Sequence, residues 1–291
     1  MSDIEDAIEP ILAPEAKTRS KPAPRGLIMA VMALLVAFVA MQGRSLYREW
    51  QTLRAEQYRL RHTEIIGYLN ISPHYSFAKT PEDWFHNEGE FTLLWSGWQH
   101  GNGHQWFRVK RGELEQQQLS LPIGRDVIQA IDYPLIERGG GRIWGRIPTD
   151  AAVANLDYQG ETTAYPIQVL DKVCVINDQV GNRPFLVSFN PLSPGGPVHV
   201  YDPMLKGHRV TMGVSGYTQN RKVILYDRGS ESLWIEDDAR QTLRAIAGPS
   251  RGCELGLLCT PTLEDWGDWQ SEHPQGRLLV GADRSKVVPI D

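Results

Sequence analysis

The sequence predicts a mainly β protein with an antiparallel, sandwich- or barrel-like body, an N-terminal transmembrane helix and a few short helices. Two observations support this fold class. Residues 26–43 form an uncharged apolar stretch, and short runs rich in β-branched and aromatic residues recur from about residue 63. Turn-forming residues separate these runs at a spacing typical of a sandwich or barrel rather than of a βαβ sheet. A hydrophobic content of 41% and a charged content of 22% suit a chain that folds around a core.

Residues 1–25 are expected to be a disordered cytoplasmic tail, because acidic residues and prolines precede a basic run without apolar periodicity. Residues 26–43 follow, bounded by Arg25 and Arg44, and a helix of this length spans roughly 27 Å. A cleaved signal peptide is the main rival, but the end of the stretch lacks a small-x-small cleavage site. The sequence therefore predicts an uncleaved single-pass anchor in the lipid bilayer, with the C-terminal domain extracytoplasmic.

Residues 44–62 are predicted to form a juxtamembrane amphipathic helix. Its apolar side chains Leu46, Trp50, Leu53 and Leu60 follow a heptad-like spacing over about two and a half repeats. Two interpretations stay open: a dimerising stalk, or a helix that lies against its own domain or the membrane surface.

Residues 63–125 are predicted to form a Trp-rich β subdomain. The segments 91–99 and 104–112 flank a turn at residues 100–103 and predict a hairpin. Four tryptophans in this region are expected either to pack the subdomain on the main domain or to form an aromatic surface for a partner or the bilayer interface: Trp84, Trp95, Trp98 and Trp106.

Residues 126–291 are predicted to form a second β-rich domain. Its strands are expected at 142–147, 162–170, 173–178, 183–189, 197–202, 208–216, 222–228 and 232–236. A short helix is expected at 263–272, with Thr262 as its N-cap and Pro274 beyond its end.

Composition and motifs narrow the function. The net charge of −5, with Lys and Arg scattered beyond residue 62, argues against a nucleic-acid partner. The chain has only three cysteines, an odd number that does not indicate a disulfide framework. Two possibilities stay open: a Cys253–Cys259 disulfide, or three free thiols. The sequence has no nucleophile elbow, zinc-protease helix or phosphate-binding loop, so it favours a protein that is not an enzyme.

Two groups of side chains have metal-compatible types. His100 and His104 bracket a hairpin tip, but zinc needs at least a third protein ligand. His199, Asp202 and His208 surround a later connection between strands, where the spacing matches no defined site. A turn held by hydrogen bonds is expected around 227–231.

Several segments carry a resemblance to a known family. They are AYPIQVL (164–170), VINDQVGNRPFLVSFNPL (175–192), MGVSG (212–216), ILYDRGSESLW (224–234), AIAGP (245–249) and the WGDW…HP tail (266–274). In order and spacing, from about residue 126 to 282, the chain resembles the uncharacterised family catalogued as domain of unknown function 3179.

The resemblance implies where reactive residues would lie. The family pattern places His-Glu before one strand and a Cys-Pro-Leu-Cys turn after a later one, a set suited to a soft metal or to thiol redox chemistry. Here the corresponding positions hold Val173 and Cys174, and then Asn190 and Ser193. The sequence thus predicts a family member that has kept the scaffold and lost the reactive groups.

The functional prediction is a membrane-anchored, non-catalytic binding or assembly protein without a cofactor. Its β-rich domain would contact another membrane or periplasmic component. The alternative is a metal-binding or redox protein that uses Cys174 with His199 or His208 as a rearranged site, with a transition metal as cofactor. A small-molecule binder at the mouth of a sandwich or barrel is a third interpretation.

Overall fold

The computed structural model describes residues 79–99, 101–193 and 196–283. The predicted tail, anchor and juxtamembrane helix, together with residues 63–78, lie outside these ranges. No helix within them is long and apolar enough to cross a membrane. The described part is mainly antiparallel β, as predicted, and its strands form three sheets and a small ribbon.

The first sheet lies in the Trp-rich region, residues 63–125, that was predicted to form a β subdomain. It consists of β1 (Phe85–Glu88), β2 (Phe91–Gln99) and β3 (Gly103–Lys110), paired in that order. The predicted hairpin is therefore confirmed as β2–β3. A β-bulge between Trp95 and Gly97 shifts its register, and such an extra residue bends the strand that carries it.

An eight-stranded sheet follows, in the order β12-β13-β14-β15-β16-β9-β8-β7. Its strands are β7 (Val175–Val180), β8 (Arg183–Phe189), β9 (Val198–Tyr201), β12 (Met212–Gln219), β13 (Lys222–Asp227), β14 (Leu233–Asp237), β15 (Thr242–Ala247) and β16 (Glu254–Cys259). The sheet curves into a half-barrel, so that its two edge strands, β7 and β12, approach each other. A ribbon of β10 (Met204–Leu205) and β11 (His208–Arg209) protrudes between β9 and β12.

The third sheet has five strands in the order β17-β5-β6-β18-β4. They are β4 (Pro134–Arg138), β5 (Ala152–Tyr158), β6 (Glu161–Pro166), β17 (Thr262–Asp265) and β18 (Arg277–Ala282). Its β18–β6 pair is parallel. The helices of the described region are α1 (Ile167–Val173), α2 (Trp266–Glu272) and short 3-10 turns at Gln116–Gln118 and Trp144–Arg146.

Alternation along the strands of the half-barrel divides the apolar side chains between two cores. On β13, Leu225 points into the half-barrel, whereas Ile224 and Tyr226 point outward to a core shared with the three-stranded sheet. On β7, Val175 points inward and Ile176 packs against the five-stranded sheet. The half-barrel is thus covered on its outer face in two places, which explains why its strands read as nearly continuous apolar runs.

Residues 120–132 close the seam between β12 and β7. On one side, the backbone amides of Ser120, Ile123 and Asp126 donate to carbonyls of β12. On the other side, the amide of Ile131 donates to the Val175 carbonyl, and the amide of Asn177 donates to the Ile131 carbonyl. The segment therefore supplies partners for backbone groups that two open strand edges would otherwise leave unpaired.

The side chain of Asn177 completes this seam. Its Oδ1 accepts from the backbone amide of Met212 at 2.9 Å, and its Nδ2 donates to the Met212 carbonyl at 2.8 Å. The Nδ2 group also donates to Asp132 Oδ1 at 2.7 Å. One side-chain amide thereby imitates a strand neighbour and joins β7 to the start of β12.

The three-stranded sheet is fastened to the half-barrel by a buried hydrogen bond. The hydroxyl of Tyr217 on β12 donates to the carbonyl of Trp95 on β2 at 2.7 Å, and both side chains are fully buried. Burial raises the pKa of Tyr217 well above its ordinary value. The phenol therefore stays a donor.

Three local predictions were wrong. Residues 142–147 contain a 3-10 turn, and residues 167–170 belong to α1 instead of continuing strand β6. A short apolar run does not distinguish a buried strand from a buried helix, and α1 is buried on nearly every side. Thr262 lies in β17, and α2 begins after Asp265, which holds the N-cap position.

Candidate functional site

The candidate site is a polar cluster around Glu236 on the inner face of the half-barrel. Glu236 lies two residues after the buried Trp234 on β14, so the two side chains share a face. The side chain of Glu236 is only 11% exposed. A carboxylate so deeply placed in a largely apolar lining needs hydrogen-bond partners.

Three side chains from β8 and β9 supply contacts with that carboxylate. Ser188 Oγ donates to Glu236 Oε1 at 2.8 Å, and Tyr201 lies close enough for the Glu236 carboxylate to raise the pKa of its hydroxyl. His199 Nδ1 lies 3.4 Å from Glu236 Oε1, within ion-pair range but without the geometry of a hydrogen bond. Ser188 and His199 face each other across the β8–β9 ladder, which explains why both reach the same oxygen.

A lysine adds positive charge at the edge of the cluster. Lys222 Nζ donates to the backbone carbonyl of Glu236 at 2.9 Å and pairs with the Asp238 carboxylate at the same distance. Burial and the carboxylates of Glu236 and Asp238 raise the pKa of Tyr201, so its hydroxyl remains a donor. Within this cluster, Ser188 and Lys222 act as hydrogen-bond donors and Glu236 as the acceptor.

Cys174 lies beside this cluster, in the position that follows α1. Its backbone amide donates to the Leu170 carbonyl and closes the helix, with φ at +59°. The residue is 1% exposed. Burial, with the nearby charges of Asp171 and Glu236, raises the pKa of the Cys174 thiol to about 12. At neutral pH the group is a protonated thiol, whereas both metal binding and disulfide exchange need the thiolate.

Hydrogen bonds hold the turn at residues 190–193, where the family pattern has a cysteine turn. Asn190 Nδ2 donates to the Arg221 carbonyl at 2.8 Å, and Asn190 Oδ1 accepts from the Leu192 amide at 3.2 Å. Arg221 in turn donates from Nη2 to the Leu192 carbonyl at 3.0 Å. Ser193 is exposed. The family's first cysteine position is therefore occupied by a side chain that holds the turn itself.

The other predicted site residues do not join the cluster. Val173 is buried in the core beneath the five-stranded sheet. His208 is exposed on the β10–β11 ribbon, and no hydrogen bond or ion pair joins it to Cys174 or Glu236. Asp202 Oδ1 accepts from the Met204 amide at 2.9 Å, which makes it a turn residue.

Two predicted pairs remain: His100 with His104 as possible metal ligands, and Cys253 with Cys259 as a possible disulfide. His104 Nδ1 accepts from Trp95 Nε1 at 2.9 Å, while His100 lies outside the described residues. Cys253 and Cys259 are free thiols at opposite ends of β16. A strand of that length separates them by about 20 Å, far beyond the reach of a disulfide. In the described part of the chain, no three His, Cys, Asp or Glu side chains are arranged to hold a metal ion.

A second polar network is centred on Arg228, in the segment 224–234 that carries the resemblance. Arg228 pairs with Asp126 at 2.9 Å and with Asp132 at 3.2 Å, and Asp126 also accepts from the Tyr226 hydroxyl. Burial raises the pKa of Asp132, although Arg228 opposes this shift. The expected turn at 227–231 is confirmed: the amide of Glu231 donates to the Asp227 carbonyl at 2.9 Å. The network therefore joins the turn at 227–231 to the segment 120–132 that closes the seam.

The resemblance is shown by comparison with known families. The model of a family described as "Protein of unknown function (DUF3179)" matches residues 125–286, more than half of the chain. The chain belongs to this family. Neither the curated proteins nor the solved structures contain a match. The DUF3179 region begins where the three-stranded sheet has ended, and it contains every residue of the Glu236 cluster.

Sequence reasoning missed Glu236, Ser188 and Tyr201. A signal for the first was present, because Glu236 follows Trp234 by two residues and must share its face in a strand. The partners Ser188 and Tyr201 come from strands that are distant in sequence. Their approach to Glu236 depends on the β16–β9 and β9–β8 pairings, which alternation alone does not specify.

Proposed function

We propose that this DUF3179 member is a membrane-anchored, non-catalytic binding or assembly protein. Residues 26–43 would hold it in the bilayer as a single-pass anchor, with the β-rich domain on the extracytoplasmic side. There the domain would contact a protein partner in or at the membrane. The observation that carries the proposal is that Asn190, at the first cysteine position of the family turn, is committed to hydrogen bonds within that turn.

The remaining motif positions support the same conclusion. Val173 is a core residue, and the Cys174 thiol is buried beside carboxylates that keep it protonated. The turn itself is rigid, because Asn190 and Arg221 hold it from two sides. It presents Leu192, which is 39% exposed, to the surface. A rigid turn with an exposed apolar tip favours recognition of another protein over chemistry.

Affinity capture of the full-length protein from detergent-solubilised membranes tests the proposal. The wild type should repeatedly recover the same companion protein, and Leu192→Asp should lose it. Met204→Asp is a matched control, because Met204 is 41% exposed and lies on the separate β10–β11 ribbon. Captures that return only the protein itself would count against a binding function. Equal loss of the companion protein in both variants would count against the turn at 190–193 as the binding surface.

The metal or redox alternative rests on the one fact that Cys174 and His199 both approach Glu236. The raised pKa of the thiol disfavours the redox form of this alternative, which needs a thiolate without a metal ion. Elemental analysis of the purified protein decides between the two functions. Stoichiometric copper, zinc or iron that disappears in Cys174→Ser would favour the alternative, and metal-free wild-type protein that still captures its companion would favour the binding function.

A further inference from the structure

We propose that Leu192 and Arg221 together form a docking site for a segment of the partner protein that carries a carboxylate beside an apolar side chain. This site rests on the proposed binding function and names the chemistry of the partner. The apolar side chain of the partner covers Leu192, and its carboxylate pairs with the guanidinium of Arg221.

The guanidinium of Arg221 is held against the backbone of the apolar tip. Its Nε and Nη2 donate to the Leu192 carbonyl at 3.2 Å and 3.0 Å. The contact is reciprocal, because Asn190 Nδ2 donates to the Arg221 carbonyl at 2.8 Å. The turn at 190–193 and the connection between β12 and β13 therefore hold each other, and the charge stays next to Leu192. A side chain that is ordered before binding loses less conformational entropy when the partner arrives.

The second edge of this guanidinium is available to a partner. Nε and Nη2 form the edge that grips the Leu192 carbonyl, whereas Nη1 has no hydrogen bond or ion pair within the described residues. Arg221 is exposed. The Nη1–Nη2 edge of an arginine offers two parallel N–H donors, which match the two oxygens of a carboxylate. The geometry therefore favours a carboxylate as the group that the partner presents.

The charge of Arg221 is also unmatched, unlike that of the cations near it. Lys222, the next residue, pairs with Asp238 at 2.9 Å, and Arg240, in the following connection, pairs with Glu254 at 2.9 Å. In the part of the chain that the structure describes, no carboxylate lies within ion-pair range of Arg221. An exposed cation beside an exposed apolar side chain complements an anion beside an apolar group on the partner.

The backbone at Arg221 carries a conformational cost. Gln219 and Lys222 are paired, so Asn220 and Arg221 form a two-residue turn, with φ at +50° and +62°. This type I′ geometry prefers glycine at its second position. Arginine adopts it at a cost that glycine would avoid, and residues held in this way cluster at binding and catalytic sites. The cost is explained if the side chain serves recognition.

The test uses the full-length protein in native membranes, with the photoreactive residue benzoylphenylalanine in place of Ser193. Ser193 is exposed and follows Leu192, so the two proposed contact residues stay intact. Irradiation and mass spectrometry then identify the segment that touches the turn. We expect a protein segment in which an Asp, a Glu or a C-terminal carboxylate lies beside an apolar residue, and the mapped sequence distinguishes a side-chain carboxylate from a terminal one.

Variants of Arg221 connect the crosslink to the guanidinium. Arg221→Gln should lower the crosslink yield by about tenfold or more, and Arg221→Gly should lower it equally without lowering the melting temperature, because glycine suits the turn. Arg221→Lys keeps the charge without the paired donors and should lie between these variants and the wild type. Arg183→Gln is the matched control, since Arg183 is also exposed but lies at the other end of β8. Arg221→Glu should lose the crosslink, and a change of the identified carboxylate to Lys should restore it.

The outcomes separate this site from the binding function. A crosslink that persists in Arg221→Gln and Arg221→Gly, or that maps to a segment without a carboxylate, overturns the site and leaves the binding function intact. A crosslink to lipid alone overturns the protein partner at this turn. Capture of a companion protein without any crosslink at residue 193 moves the binding surface elsewhere and also overturns the site. Wild-type protein that captures no companion overturns the site and the proposed function together.

Discussion

Replacing Asn177 with Ala should open the seam of the half-barrel. The substitution removes three hydrogen bonds, two of them to the backbone of Met212, which is completely buried. Each buried backbone group left unpaired costs about 1–3 kcal/mol. With both Met212 groups orphaned and the bond to Asp132 lost, we expect a total loss of about 3–5 kcal/mol, a large part of the ~5–15 kcal/mol typical of a domain.

Urea unfolding of the full-length protein in mild detergent, followed by tryptophan fluorescence, measures this loss. Asn182→Ala is the matched control, because Asn182 is exposed in the turn after β7 and has no side-chain hydrogen bond. The control should change the free energy of unfolding by no more than about 0.5 kcal/mol. A loss below about 1 kcal/mol for Asn177→Ala would refute the role of Asn177 in closing the seam, since it would mean that the Met212 backbone finds other partners.

The isosteric variant Asn177→Asp gives the same reasoning a pH signature. One carboxylate oxygen still accepts from the Met212 amide, but the other faces the Met212 carbonyl and the Asp132 carboxylate. Burial already raises the pKa of Asp132, and a second carboxylate beside it raises this pKa further. The pair therefore takes up a proton in the folded state. The stability penalty relative to wild type should shrink as the pH falls from 8 to 5, and a penalty that stays constant would contradict the assignment.

Four further predictions concern Cys174, Gly213 and Asp178. Iodoacetamide at pH 8 should alkylate the buried Cys174 far more slowly than the half-buried Cys253 in native protein, because a pKa of about 12 leaves Cys174 a thiolate fraction roughly 1,000-fold below that of a thiol at the ordinary value of 9.0. Since the pKa of Cys174 is raised from 9.0 to about 12 by folding, stability present below pH 9 should be lost as the pH rises toward 12, with a shallower loss in Cys174→Ser. Gly213→Ala should destabilise by about 1–3 kcal/mol in urea unfolding, because its Cβ would lie 2.5 Å from the Tyr226 ring, and Gly256→Ala, with open space, should not. Breaking the buried Arg277–Asp178 pair with Asp178→Asn should cost about 3–5 kcal/mol by the same assay, and a neutral result would show that Arg277 does not need its carboxylate.

The class of fold was predictable from the sequence because strand alternation and turn residues are local signals. The hairpin β2–β3 and the turn at 227–231 follow from such signals alone. The error at residues 167–170 has a physical cause, since Ile167, Val169 and Leu170 are buried in a helix that the core surrounds. Burial on every side removes the periodicity that would distinguish helix from strand.

The candidate site was predictable only in part. Cys174 and His199 were singled out as residue types, and the structure brings both to Glu236. Glu236 itself lies 62 positions after Cys174 and 37 positions after His199 in the chain. Long-range strand order determines this meeting, and a single sequence carries no direct signal for it. The role of Asn190 was likewise invisible, because its partner Arg221 lies on a different connection.

The closure of the seam by residues 120–132 has a mechanical consequence. The backbone amides at residues 120, 123 and 126 hold this segment along β12, and the amide of Ile131 holds it to β7. A force that pulled β12 and β7 apart would therefore be shared by several hydrogen bonds. The half-barrel resists opening better than it would with two free strand edges.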